Sequence, residues 1–414
     1  MSMVKKVPEI RFEGFSGEWV ENNLGGLIGI GSAARVHKEQ WTDAGVPFFR
    51  TSDVVSIYKG QENTKTYISH EIYHELSEKI GKVTKDDLLI TGGGSIGIPY
   101  LVPNDNPLYF KDADLLWLKN NRKFNGYFLY TFFFSEPFKK HIKSISHTGT
   151  IAHYTIEQAK ATPINTCHDE EQIQIGNYFQ KLDELINQNQ QKHDKLNSIK
   201  KAMLEKMFPK QGETIPEIRF KGFSGEWEES NLGECTDLLT GNPFNSKEFT
   251  NEGIFLVRGM NVKRGYLDTS PDISQFWPSS KRLENYLLKP EDIVIQMDGA
   301  LIGKSYAKIK SCNLPALLVQ RVTRIRCSEV SSEFIYQYIQ RDFLNHISGI
   351  KTETAVPHLS LHDIRNFSIF LPKKTEQNVI GNYFQKLDTL INQHQQQITK
   401  LNNIKQACLS KMFV

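Results

Sequence analysis

The run Ile175-Gly176-Asn177-Tyr178-Phe179-Gln180-Lys181-Leu182-Asp183 returns unchanged as Ile380-Gly381-Asn382-Tyr383-Phe384-Gln385-Lys386-Leu387-Asp388, and the likeness continues to Lys206-Met207-Phe208 and Lys411-Met412-Phe413. Each copy holds one glycine, at its second position, and no proline. Each is therefore predicted to run as one helix of about 50 Å at 1.5 Å per residue. Apolar residues step by four and three through Phe179, Leu182 and Ile186, meet a polar break at Asn189, and resume at Leu196 and Met203. The second copy follows with Phe384, Leu387, Ile391, then His394, then Leu401 and Cys408. This is a heptad seam with a polar interruption, in which Asn189, His394, Lys200 and Lys405 are the candidates for setting register, with tolerated solvent exposure as the equal alternative. Leu185, Ile199, Leu204 and Phe208 widen the stripe beyond what a two-stranded seam needs, so each helix is expected to pack against a domain or partner as well.

A second repeat precedes each block. Val7-Pro8-Glu9-Ile10-Arg11-Phe12-Glu13-Gly14-Phe15-Ser16-Gly17-Glu18-Trp19 recurs as Ile215-Pro216-Glu217-Ile218-Arg219-Phe220-Lys221-Gly222-Phe223-Ser224-Gly225-Glu226-Trp227. The order is thus head, variable block, helix, twice over. A constant frame carrying two differing modules predicts one scaffold that presents two recognition surfaces. A pseudo-twofold axis satisfies this order if the helices pair antiparallel with one block at each end. The competing arrangement is two independent helices, each capping its own domain.

Composition supports two globular domains, since 414 residues with 39% hydrophobic content exceed a single core of about 250 to 300 residues. No apolar segment follows Met1-Ser2-Met3-Val4-Lys5-Lys6, and Tyr127 to Phe134 is far short of the roughly 20 residues of a membrane span, so a cytoplasmic protein is expected. Cys167, Cys235, Cys312, Cys327 and Cys408 form no C-x-x-C pair, so neither a disulfide framework nor a metal site is predicted and the thiols are expected to be reduced and mostly buried. A net charge of +3 neither demands nor excludes nucleic acid, because a local basic face matters more than the total.

The two blocks, about 20 to 165 and 228 to 374, differ in sequence but share a series of events. The strand and polar turn through Arg50, Ser52 and Asp53 answers the one through Arg258 and Asn261, with Lys263 beyond. Asp86-Asp87-Leu88-Leu89-Ile90 answers Glu291-Asp292-Ile293-Val294-Ile295. Each strand then enters a glycine-containing turn, one with Gly93 and Ser95, the other with Asp298, Gly299 and Lys304. The first lacks the spacing of a nucleotide cradle and reads as a tight strand connection whose backbone N–H groups can approach a phosphate. Polar, hydroxyl-rich loops follow: His147, Thr148, Thr150 and His153 in the first block, Lys351, Thr352, Thr354 and His358 in the second. Such loops supply donors and acceptors for base edges or phosphates, with an ordinary capped turn as the equal alternative. Lys139, Lys140 and Lys143, and in the second block Arg321, Arg324 and Arg326 among others, provide cations, most of them expected to be solvated surface.

Together these features resemble the specificity subunits of type I restriction-modification systems. The resemblance covers the four-part order, the prolines Pro163 and Pro372, and Glu171-Gln172 and Glu376-Gln377 ahead of the shared helix motif. It implies an α+β fold of two similar mixed α/β target-recognition domains joined by two long antiparallel coiled-coil helices with pseudo-twofold symmetry. The implied boundaries are a recognition domain over 1–165, a helical spacer over 166–210, a second recognition domain over 211–374 and a second spacer over 375–414. It further implies that each domain reads half of a split site in double-stranded DNA, and that the helices dock two adenine-N6 methyltransferase subunits and, through them, restriction subunits. S-adenosylmethionine, ATP and magnesium are then expected in those partners and no cofactor in this chain.

An enzymatic role finds little support in the residues. Adenine methyltransferases need an N/D-P-P-Y/F tetrapeptide, and Gly241-Asn242-Pro243-Phe244 is one proline short. After Pro271-Asp272 no E-x-K completes a common nuclease motif. The competing reading from a different class is a non-catalytic, coiled-coil interaction scaffold that reads no DNA, which a salt-dependent DNA affinity separates from the first.

Overall fold

A computed structural model describes residues 6–145, 153–299, 301–349 and 358–414. The two repeated segments form single helices, Asp169–Lys206 and Lys374–Lys411, each of 38 residues. Each begins a few residues ahead of the repeated motif. In the first, Asp169, Glu170 and Glu171 occupy the opening turn, where carboxylates complement the helix dipole.

The chain divides into two compact units, residues 1–190 with 396–414, and residues 191–395. Each long helix therefore starts in one unit and ends in the other. Inside the first unit, Tyr178 meets Cys408 at 3.7 Å and Asp183 meets Lys405, so residue numbers rise on one helix as they fall on its neighbour. Inside the second, Lys200 Nζ lies 2.6 Å from Asp388 Oδ1, and the Phe208 and Phe384 rings are tilted against each other with centroids 6.0 Å apart. Both units thus hold an antiparallel helix pair. Of the heptad residues, Phe179, Leu182, Phe384, Leu387 and Cys408 are buried, while Ile186, Asn189, Leu196, Met203, Ile391, His394 and Leu401 are half-buried. Lys200 and Lys405 each make a polar contact to the neighbouring helix, and the Asn189 amide donates to the Leu185 carbonyl one turn back on its own helix. The extra stripe is used as well, with Ile199, Leu204 and Phe208 packing into the core of the second unit.

The blocks are two copies of one topology. In the first, Gly29–Gly31, Leu115–Lys119, Leu88–Thr91 and Pro99–Leu101 form an antiparallel sheet in that order. The second repeats it with Asp237–Thr240, Val322–Arg326, Ile293–Gln296 and Tyr306–Lys308. A second sheet in each contains one parallel pair, Phe48 beside Tyr109 and Phe255 beside Ala316. A short antiparallel ribbon, Val20–Asn23 with Pro163–Thr166 and Glu228–Asn231 with Ser368–Leu371, closes each block next to its helix. The central strands read as near-continuous apolar runs because both faces are covered; Leu88, Leu89 and Ile90 are buried, as are Ile293, Val294 and Ile295.

The repeated heads lock block to helix. Arg11 donates from Nε and a terminal nitrogen to both oxygens of Glu171, each at 2.7 Å. Arg219 does the same to Glu376 at 2.6 and 2.7 Å. The same guanidinium groups bind the Gly17 and Gly225 carbonyls, so the glycine turn of each head is held on the helix. Glu171 is fully enclosed, and the forked geometry is what makes a buried carboxylate tolerable. Beside each clamp a tryptophan is buried against aromatic rings, Trp19 with Phe128 and Phe413, Trp227 with Phe334 and Phe208. All five cysteines are free; Cys408 is buried, Cys312 is exposed and the other three are half-buried.

Candidate nucleic-acid interface

In the first unit the strand Leu88–Thr91 ends in the glycine turn, and residues beyond the polar loop return to it. Gly93 bridges His153, and the Tyr154 N–H donates to the Gly92 carbonyl at 2.8 Å. A Cβ at Gly92 would stand 2.9 Å from the Tyr154 carbonyl oxygen, so the close approach itself requires glycine there. Gly97, at φ +79°, faces Phe138 of the helix Glu136–Ile145. That helix carries Lys139, Lys140 and Lys143, all exposed.

The second unit repeats this arrangement with other residues. Asp298 bridges His358, and the Leu359 N–H donates to the Met297 carbonyl at 2.7 Å. Gly303, at φ +72°, meets Leu344 and Ile347 of the helix Leu344–Gly349. Arg321 pairs with Asp298 at 2.7 Å and is two-thirds exposed, so it remains accessible to an anion while neutralising the turn's carboxylate. In both units, then, a glycine turn, a short helix and a loop-ending histidine converge. Ser95, His153, His358 and Lys304 are exposed, and Lys263 is half-buried. Exposed Ser52 accepts from the Asn63 amide at 3.1 Å. His147, Thr148, Thr150, Lys351, Thr352 and Thr354 lie outside the described residues.

Several predicted contact residues are engaged elsewhere, and these are corrections. Arg50 holds Asp53 at 2.9 Å and the Thr64 carbonyl at 2.5 Å, with its guanidinium 6.0 Å from the Trp41 ring centre, so it secures the start of the helix Thr51–Lys59. Arg258 donates to the Ile273 carbonyl and packs over Phe249, and burial holds its pKa below the ordinary guanidinium value. Asn261 is fully enclosed; its oxygen accepts the Arg258 N–H at 3.3 Å and its amide donates to the Asp268 carbonyl at 3.0 Å. Asn261 therefore builds the turn instead of facing a duplex. Of the cations expected at the surface, Arg324 is buried and paired with Asp237, and Arg326 forks onto Asp292, one contact at 2.7 Å. Both arginines lie on the strand Val322–Arg326, and their carboxylate partners lie on or beside its two neighbouring strands.

The residues that sequence reasoning missed lie where blocks meet helices. Arg11 with Glu171, Tyr127 with Asp183, and Gln337 with Asp388 each join residues far apart in the chain. The signal was present for the first: arginine and glutamate recur together in both copies. Among the described residues no group of three or more His, Cys, Asp or Glu is placed to hold a metal ion, and no helix is long and apolar enough to cross a membrane.

The family model for the type I restriction modification DNA specificity domain matches the chain twice, over residues 16–198 and 224–403. The EcoAI type I restriction enzyme specificity subunit of Escherichia coli is 30% identical over 204 residues, 48% of this chain and 34% of that protein. The MjaVIII specificity subunit of Methanocaldococcus jannaschii is 27% identical over 238 residues, 54% of each chain. The chain thus spans about a third to a half of these two relatives. The MjaIX specificity subunit of the same archaeon matches more fully, 23% identical over 416 residues, covering 94% of this chain and 90% of that one. A crystal structure of a type I restriction-modification S subunit from M. genitalium shares the fold with a TM-score of 0.67 and 16% identity, over 99% of both chains.

Proposed function

The chain belongs to the type I restriction-modification DNA specificity family, and from that premise we propose that it reads a bipartite site in double-stranded DNA, one half per block. The observation that carries this reading is the convergence, in both units, of a glycine turn, a short helix and a loop-ending histidine on one shared topology. Lys139, Lys140, Lys143 and His153 supply positive charge and donors in the first unit, and Lys304, Arg321 and His358 in the second. Phosphate contacts from such side chains position a protein on the duplex, and the hydroxyl-rich loops holding Thr148, Thr150, Lys351, Thr352 and Thr354 are proposed to read base edges.

The recognition blocks are taken as 1–165 and 211–374 and the spacers as 166–210 and 375–414. The chain itself is non-catalytic in this reading. It directs two adenine-N6 methyltransferase subunits and the restriction subunits, and S-adenosylmethionine, ATP and magnesium belong to those partners.

The test is methylation mapping of a host carrying the gene, with residues 20–165 exchanged for the equivalent block of another family member. One bipartite motif is expected, with one half changed by the exchange and the other intact. A simultaneous change in both halves, or a motif that persists after deletion of the gene, defeats the proposal.

A further inference from the structure

Each aspartate of the shared Lys-Leu-Asp motif divides its carboxylate between two neighbours. In the first unit one Asp183 oxygen accepts from Lys405 on the neighbouring helix, and the other accepts from the Tyr127 hydroxyl of the block at 2.7 Å. In the second unit Asp388 Oδ1 accepts from Lys200 at 2.6 Å, and Oδ2 accepts from the Gln337 amide at 3.2 Å. The lysine is also shared with the block: Lys405 lies 5.7 Å from the Phe134 ring centre, and Lys200 donates to Gln340 Oε1 at 2.7 Å. Both block contacts come from matching elements, the helix Gly126–Phe132 with Phe134 just beyond it, and the helix Ser332–Tyr338 followed by Gln340.

The helix side of this junction is identical in the two units, and the block side is not. One unit answers with a phenol and a ring face, the other with two carboxamides. All four are groups that an aspartate–lysine pair can accept: a donor for the free carboxylate oxygen, and an electron-rich face or oxygen for the ammonium. A pair that only joined the helices would have no need of the block. Here one carboxylate bonds to the neighbouring helix and to the recognition block together, so a rotation of the block on the helices breaks a charge-assisted hydrogen bond. Burial and the adjacent carboxylate raise the Tyr127 pKa far above the ordinary phenol value, which keeps its hydroxyl a donor throughout the physiological range.

We propose that Asp183 and Asp388 are positioning residues for DNA reading, each fixing the angle of its recognition block on the helix pair through one divided carboxylate, so that the spacing between half-sites is held by these two junctions. This inference rests on the bipartite reading above and adds to it which side chains make the spacing strict.

The test uses the chain assembled with its methyltransferase subunits and a DNA library whose half-sites are separated by spacers varied one base pair at a time. The wild-type complex is expected to methylate one spacer length. Asp183→Asn keeps an acceptor for Tyr127 but loses the charge that holds Lys405, and Tyr127→Phe removes one hydroxyl and leaves the ring. Either should raise methylation of neighbouring spacers relative to the preferred one by about tenfold, the scale of one charge-assisted hydrogen bond. Asp388→Asn should do the same from the other unit. Unchanged spacer selectivity, even with a lowered melting temperature, overturns the proposal and leaves the junctions as ordinary fastenings. If Asp183→Asn does not assemble, Tyr127→Phe decides alone. A wild-type complex that methylates no bipartite motif overturns the underlying function and this inference with it.

Discussion

Between equivalent strands the two blocks are built differently. From Val46–Phe49 to Leu88–Thr91 the first block carries two helices, Thr51–Lys59 and His70–Ile80. From Ile254–Val257 to Ile293–Gln296 the second carries no α-helix, only the two-residue strand Phe276–Trp277 and short turns such as Gly259–Asn261 and Glu284–Tyr286. Local chemistry explains the difference. The first stretch has a Ser69 cap accepting from the Ile72 N–H and a left-handed Gly60 that ends the preceding helix. The second has Pro271, Pro278, Gly265 and four serines, residues that break or compete with a helix. Yet Arg11 with Glu171 and Arg219 with Glu376 have almost the same geometry. Segments that pack only on their own block are free to diverge, whereas the clamp arginines of the repeated heads, each bound to a glutamate of its long helix, recur.

The strongest way to break this comparison is at the clamps. Arg11→Ala leaves Glu171 as a buried carboxylate without its cation, and a loss of about 3–5 kcal/mol of unfolding free energy is expected, as for Arg219→Ala against Glu376. Denaturant titration of each variant should show falls of similar size. A mild effect at one clamp alone would mean that the two frames are not equivalent.

Smaller changes separate framework residues from reading residues within one block. Asn261→Ala removes an enclosed amide bonded to backbone, so stability should fall by about 1–3 kcal/mol while the salt dependence of DNA binding keeps its slope. Lys304→Ala should do the reverse. Its stability effect should stay within about 0.5 kcal/mol, and the slope of log affinity against log salt should become shallower by about one, the signature of one lost phosphate contact. Binding titrations of the assembled complex across a salt series measure both, and an unchanged slope for Lys304→Ala removes that side chain from the interface.

Much of the architecture was legible in the residues because it rests on local and periodic information. The doubled Ile-Gly-Asn-Tyr-Phe motif, the step of four and three and the missing prolines specify two long helices and the face that each buries, and the repeated order of segments specifies two copies of one module. The glycine turns and the histidines that end the polar loops were also visible as paired events, and the structure brings them together. Which polar residue faces solvent was not legible. Arg50, Arg258 and Asn261 occupy positions that look like an exposed turn, but their neighbours Asp53, Ile273 and Asp268 capture them; Arg324 and Arg326 are captured by Asp237 and Asp292 across the sheet. The clamps and divided carboxylates join residues separated by 160 positions for Arg11 and Glu171, and by 222 for Asp183 and Lys405. The sequence alone determines the repeat, the helices and the apolar seam, since periodicity is a property of neighbours in the chain. Only the tertiary structure decides which charges are enclosed and which stay in water, since a side chain's partner and its access to solvent depend on segments that meet only when the chain is folded.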